Sequence, residues 1–118
     1  SITLLQPYNQ VFANKNKVEI TKDSKVTYYC LKNNENCNAS GDSWKQLSGQ
    51  KYYRIHIKNT SKNTLTVYVD KHKVLKLAPK KEDSYSAKIS SGPHKITYST
   101  NDNIISAKIT LETSSNEL

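Results

Sequence analysis

The sequence predicts an all-β protein, an antiparallel β-sandwich of about seven or eight strands with an immunoglobulin- or fibronectin-III-like arrangement and one disulfide-closed loop. Three observations predict it. Apolar and polar residues alternate with period two over most of the chain, which puts one side of each segment on a core and the other in water. Turn-forming clusters recur at intervals of roughly 8–12 residues, the rhythm of a sandwich or barrel. The apolar positions hold β-branched residues and Tyr, which suit a pleated surface, and no helical period competes.

Taken in order, Val18 and Ile20 flank Glu19, and Val26, Tyr28 and Cys30 repeat the pattern. Tyr53, Ile55 and Ile57 alternate with Arg54, His56 and Lys58, and Leu65, Val67 and Val69 with Thr66, Tyr68 and Asp70. Tyr85, Ala87 and Ile89 form the inward set of the next long strand. Ile96 and Tyr98 follow, then Ile105, Ala107, Ile109 and Leu111. Between these runs, 58–63 is rich in turn formers and Asp70–Lys73 reads as a hairpin tip. Pro79 and the acidic-basic run 80–83 close the next strand. Gly92 and Pro93 shape a turn into another, and Asn101–Asn103 reads as a tight hairpin connection. Residues 32–49 break the rhythm. They read as a long loop around Trp44, with one helical turn near Asp42–Lys45.

The 118 residues suit a single domain over 1–118. Residues 1–16 form an extended segment, read equally as a first strand or as the remnant of an export signal or pro-segment, with Phe12-Ala13 before a polar run. Residues 113–118 are expected to fray. No stretch approaches the roughly 20 apolar residues a membrane helix requires.

Cys30 and Cys37 enclose a turn-like segment. A second cysteine pair for zinc and a C-x-x-C redox motif are both missing, so a local disulfide is the expectation, and with it an oxidising, extracellular or cell-surface location. Lys and Arg total 18 against 10 acidic residues, for a net charge of +8. Arg54 is the lone arginine. Lysine is a point charge on a flexible stem, whereas arginine reads phosphates and bases through a planar fork. The charge therefore fits diffuse attraction to an anionic polymer better than sequence-specific nucleic-acid recognition.

Reactive constellations are sparse. His56, His72 and His94 fall on an outward strand position, a hairpin tip and a post-turn position, none at metal-ligand spacing. No G-x-S-x-G elbow occurs, and Gly41, Gly49 and Gly92 are too scattered for a phosphate loop. No catalytic residue, cofactor or metal is assigned. The candidate binding surface consists of Lys71, His72, Lys73, Lys76, Lys80 and Lys81, with Tyr68 and Trp44 as aromatic contacts. Should the lysine-bearing turns share one end of the sandwich, they form a positive rim. The competing explanation is edge protection, because lysines on exposed strands discourage sheet-to-sheet aggregation. Asn38 and Asn59 begin N-x-S matches expected in exposed loops.

The leading expectation is a non-catalytic secreted or surface binding module of the kind bacterial surface proteins carry. Its partner would be an anionic cell-wall polymer, a polysaccharide or another surface protein. Two alternatives stay open: an assembly subunit that lends residues 1–13 as a strand to a neighbour, and a small secreted inhibitor or effector built on the disulfide loop.

Overall fold

Period-two alternation becomes strands wherever one face can be covered, and the computed structural model pairs those strands into two sheets. It describes the strand segments 17–19 and 25–30 and all of residues 41–118. The strands are β1 (Lys17–Glu19), β2 (Lys25–Cys30), β3 (Asp42–Gln46), β4 (Tyr52–Asn59), β5 (Leu65–Val69), β6 (His72–Leu77), β7 (Glu82–Lys88), β8 (Gly92–Ser99) and β9 (Ala107–Ser114). One sheet has the order β1-β3-β8-β5-β6 and the other β2-β9-β4-β7. Every pairing is antiparallel except β1 with β3, which is parallel.

The connectivity corrects the immunoglobulin-like expectation. β5 pairs β6, β4 pairs β7, β3 pairs β8 and β2 pairs β9. Those are nested partners of one long hairpin, folded about Asp70-Lys71. Rolling that hairpin brings β4 against β9 and β5 against β8, which completes both sheets. An eight-stranded sandwich so wound is a jelly roll. β1 adds a further edge beside β3, so the described strands exceed the expected number.

Tyr53, Ile55, Ile57, Leu65, Val67, Val69, Ile96, Tyr98, Ile105, Ala107, Ile109 and Leu111 are all buried, as their alternation requires. Fully burying a side chain of this size contributes about 1.5–3 kcal/mol. Leu75 and Leu77 complete the layer from β6, where the register slips between Val67 and Tyr68 and leaves Val74 as the extra residue.

Several local expectations change. Residues 42–46 are strand, not loop or helical turn. Their inward positions are Asp42, Trp44 and Gln46, and two polar groups in that set hide the alternation. Tyr98 donates to Asp42 at 2.8 Å, Trp44 Nε1 donates to Gln46 at 2.8 Å, and Gln46 Nε2 donates to the carbonyls of Gln50 and Tyr52. Gly41 precedes them at φ +99°, where an added Cβ would clash with the Ile96 carbonyl oxygen. Residues 101–103 carry the chain from β8 to β9 in the opposite sheet, so they are not a hairpin. β7 is an edge strand whose expected inward set is only partly covered, with Tyr85 exposed and Ala87 half-buried. Thr113, the first residue of the expected fraying tail, is buried in β9 and donates to Gln50 Oε1. Among the described residues, no helix is long and apolar enough to cross a membrane.

Candidate functional site

Outward residues of the five-stranded sheet form the candidate site. Alternation puts Ser43 and Lys45 of β3, Lys95, Thr97 and Ser99 of β8, and Thr66 and Tyr68 of β5 on that face. β6 adds Lys73 and Lys76. Register sets them in rows: Lys76, Thr66 and Ser99 in one, Lys73, Tyr68 and Thr97 in the next, and Lys95 beside Ser43 in a third. The outward positions of β3, β8, β5 and β6 hold no carboxylate; on this face Glu19 stands at the far edge, in register with Lys45. Asp70, at the hairpin tip, is engaged: Oδ2 lies 2.6 Å from His94 Nδ1, and Oδ1 accepts from the Lys95 amide at 3.0 Å. Asp70, Lys71, Lys95 and Thr97 line a depression of about 300 Å³ beside the tip.

The expected lysines meet differently from the anticipated rim. β5 runs into the tip and β6 runs back from it, so Lys71 and Lys73 lie at the opposite end of β6 from Lys80 and Lys81. Lys58 and Lys62 belong to the Lys80–Lys81 end, because Asn59 bonds Lys80 and Lys81 through its backbone. What the fold makes is a stripe along edge strand β6: Lys71, Lys73, Lys76, Lys80 and Lys81, with exposed His72 near its start. At about 3.3 Å per residue, the six residues of β6 span roughly 20 Å.

Trp44 is corrected out of this surface. Its side chain is 2% exposed and packs at 5.6 Å from Tyr53 and 5.3 Å from His94, ring centre to ring centre. His94 is likewise buried, not solvated, with Nε2 2.7 Å from the Ser90 carbonyl oxygen. Asn59 is fully buried, so it is not an exposed loop position. Lys45, Lys95 and Thr97 are site residues the sequence reading left out. Their signal was available, since each is out of phase with a buried neighbour. Cys37, the loop 31–40 and residues 1–13 lie outside the described residues, and Cys30 is placed as the last residue of β2.

The opposite face, on β2-β9-β4-β7, has different electrostatics. Arg54 is held by Glu112, with Nε and Nη2 at 2.9 and 2.8 Å from one carboxylate oxygen. His56 lies between Ser84 Oγ at 2.6 Å and Glu82 Oε1 at 2.8 Å. That contact, with Lys58 and Lys108 nearby, holds the Glu82 carboxyl below its ordinary range. Here Arg54 and His56 are each held by a carboxylate, whereas no ion pair holds Lys73 or Lys76 among the described residues of the β6 side. Among the described residues, no group of three or more His, Cys, Asp or Glu gathers to hold a metal.

No family model matches the sequence, and no curated protein matches it. Solved structures do resemble the fold. Tripeptidyl peptidase 2 matches with a TM-score of 0.52 at 11% identity, over 82% of this chain and 10% of that one. Protein YXIM from Bacillus subtilis matches at 0.49 and 11%, over 64% of this chain and 23% of that chain. CBM_E1, a carbohydrate-binding module from a sugar cane soil metagenome solved with cellopentaose, matches at 0.41 and 12%, over 79% and 87%. The chain thus spans a quarter or less of the first two proteins. At such identities the likeness speaks to the β-sandwich fold alone.

Proposed function

We propose that the chain is a non-catalytic, extracellular binding module that holds an extended anionic polysaccharide or cell-wall polymer along β6. One observation carries this reading. The lysines of β6 and its flanking turns continue onto a face with Lys95, Tyr68 and several hydroxyls, where the outward positions of β6, β5 and β8 hold no carboxylate and Glu19 stands only at the far edge, beside Lys45. Lysine supplies long-range attraction, and a half-buried Tyr with neighbouring hydroxyls supplies contacts for sugar rings. Edge protection alone accounts for lysines on β6. It does not account for Lys95 and Thr97, which line the depression from the inner strand β8.

The non-catalytic part of the reading rests on how a Ser–His–carboxylate row among the described residues is used. Ser84, His56 and Glu82 sit on an exposed strand face, and the Ser84 amide, the natural donor to an oxyanion, is bonded to Asp83. The extracellular part rests on a Cys30–Cys37 bond, which thiol titration of natively isolated protein tests.

Binding is tested by affinity electrophoresis through gels containing polygalacturonate or purified teichoic acid, with dextran as the neutral control. Retardation by a polyanion is expected. It should weaken roughly tenfold or more from about 0.05 to 0.5 M salt, as the screening length contracts. The double variant Lys73→Glu/Lys76→Glu should lose it while keeping its fold. Equal mobility of wild type and double variant in both polyanion gels would exclude the β6 stripe as the site.

A further inference from the structure

We propose that the outer face of β2-β9-β4-β7 is a second site, independent of the lysine stripe, that takes a neutral glycan chain laid along β4. Tyr52, Arg54 and His56 project outward from β4 at successive even positions, so planar groups recur about every 6.7 Å along the central part of the sheet. Each polar one is locked from a neighbouring strand. β9 contributes Glu112, which fixes two nitrogens of Arg54. β7 contributes Ser84 and Glu82, which hold both ring nitrogens of His56. Side chains already fixed in place lose little freedom when a ligand binds.

The chemistry selects the ligand. Arg54 has N–H donors beyond the two on Glu112, and its side chain is 38% exposed. Glu112 Oε1 receives both of those bonds, and its second oxygen is an acceptor beside the remaining donors. A donor next to an acceptor on a rigid plane matches vicinal hydroxyls, each of which both gives and takes a hydrogen bond. The carboxylates of Glu82 and Glu112 repel a polyanion from the middle of the row. Lysines stand towards its ends, Lys88 beside Tyr52 and Lys58 opposite Lys108, and on edge strand β2, where Lys25 is in register with Glu112. At the Tyr52 end, a depression of about 430 Å³ lined by Tyr52, Ser86, Ala87, Lys88, Glu117 and Leu118 gives the chain a seat.

The test titrates the full chain with a panel of neutral hexasaccharides, namely cellohexaose, laminarihexaose and mannohexaose, followed by amide NMR shifts and calorimetry. At least one member should shift the amides around Tyr52, Arg54 and His56, with affinity unchanged between about 0.05 and 0.5 M salt because no net charge is matched. Arg54→Ala and Glu112→Gln should each weaken binding roughly tenfold or more. Arg54→Lys retains charge without the planar fork, and it should weaken binding too, which covers the case in which Arg54→Ala fails to fold. Lys73→Glu/Lys76→Glu should bind these sugars like the wild type. Absence of shifts with every member at millimolar concentration would overturn the proposal, as would shifts confined to the β6 face or binding that survives both arginine variants.

Discussion

Asn59 shows how one polar side chain secures an end of the sandwich. Its Nδ2 donates to the carbonyls of Asn63 and Leu77, both at 2.9 Å, and its Oδ1 accepts from the Ser61 amide at 2.8 Å. Its backbone bonds Lys80 and Lys81 at the same time, so the β4–β5 and β6–β7 connections meet on it. Asn59→Ala would leave buried polar groups without partners, and a loss of about 2–4 kcal/mol is expected in urea unfolding. Asn59→Asp should not rescue it, because a carboxylate cannot donate to those carbonyls. At the other end of β4 stands Tyr53. Burial first, then the neighbouring Tyr85 phenol and Asp70 carboxylate, push its phenol well above the ordinary value of about 10. The folded state thus holds the Tyr53 proton more tightly than the unfolded chain does. Its contribution to stability is complete below about pH 10 and falls as pH rises beyond that. Chemical denaturation across pH 8–11.5 should show that decline, and Tyr53→Phe should flatten it.

At the scale of elements, what the sequence discloses depends on who sits at the inward positions. β4, β5, β8 and β9 are legible because Ile, Leu, Val and Tyr fill them. β3 is not, because polar Asp42 and Gln46 occupy inward positions, Asp42 satisfied by the distant Tyr98 and Gln46 by Trp44 and the carbonyls of Gln50 and Tyr52. His94 was readable in principle, being two residues before inward Ile96, yet a polar residue after a turn resembles a solvated one. Tyr85 failed for the opposite reason: it is in phase, but β7 is an edge with little laid over it. The lysine stripe was visible as composition, whereas its course along one strand depends on which turns share an end. The β5–β6 tip offers an element-scale test. Asp70 and Lys71 both have positive φ, 50° and 71°, as a two-residue type I′ turn demands. Asp70 is committed to His94 and Lys95, but Lys71 has no such tie to its backbone conformation. A β-carbon in the left-handed region costs about 1–2 kcal/mol, partly offset by the unfolded-state entropy of glycine. Lys71→Gly should therefore raise the denaturation midpoint, by about 0.5–1 kcal/mol in stability. A lowered midpoint would mean that the lysine stem packs on the tip.

For the whole molecule, the nested pairing makes sequence separation grow outward from that tip. Val69 meets His72, Tyr53 meets Ala87, Trp44 meets His94, and Lys25 meets Glu112. Only the innermost hairpin is local. Every further pair closes a longer loop before any contact rewards it, and the seams β4·β9 and β5·β8 require the roll itself. Chains dominated by such contacts fold in about milliseconds to seconds, not microseconds. Stopped-flow refolding, followed by the fluorescence of buried Trp44, should fall in that range. The same topology predicts where stabilisation acts. If the roll grows from its one local pair, the tip is formed in the transition state, and the gain from Lys71→Gly appears mainly as faster refolding with unfolding little changed. A tip that closes late would instead leave refolding unaltered and slow unfolding. The two arms of one chevron plot, measured for wild type and Lys71→Gly, decide between a roll nucleated at the hairpin and one assembled from its outer strands inward.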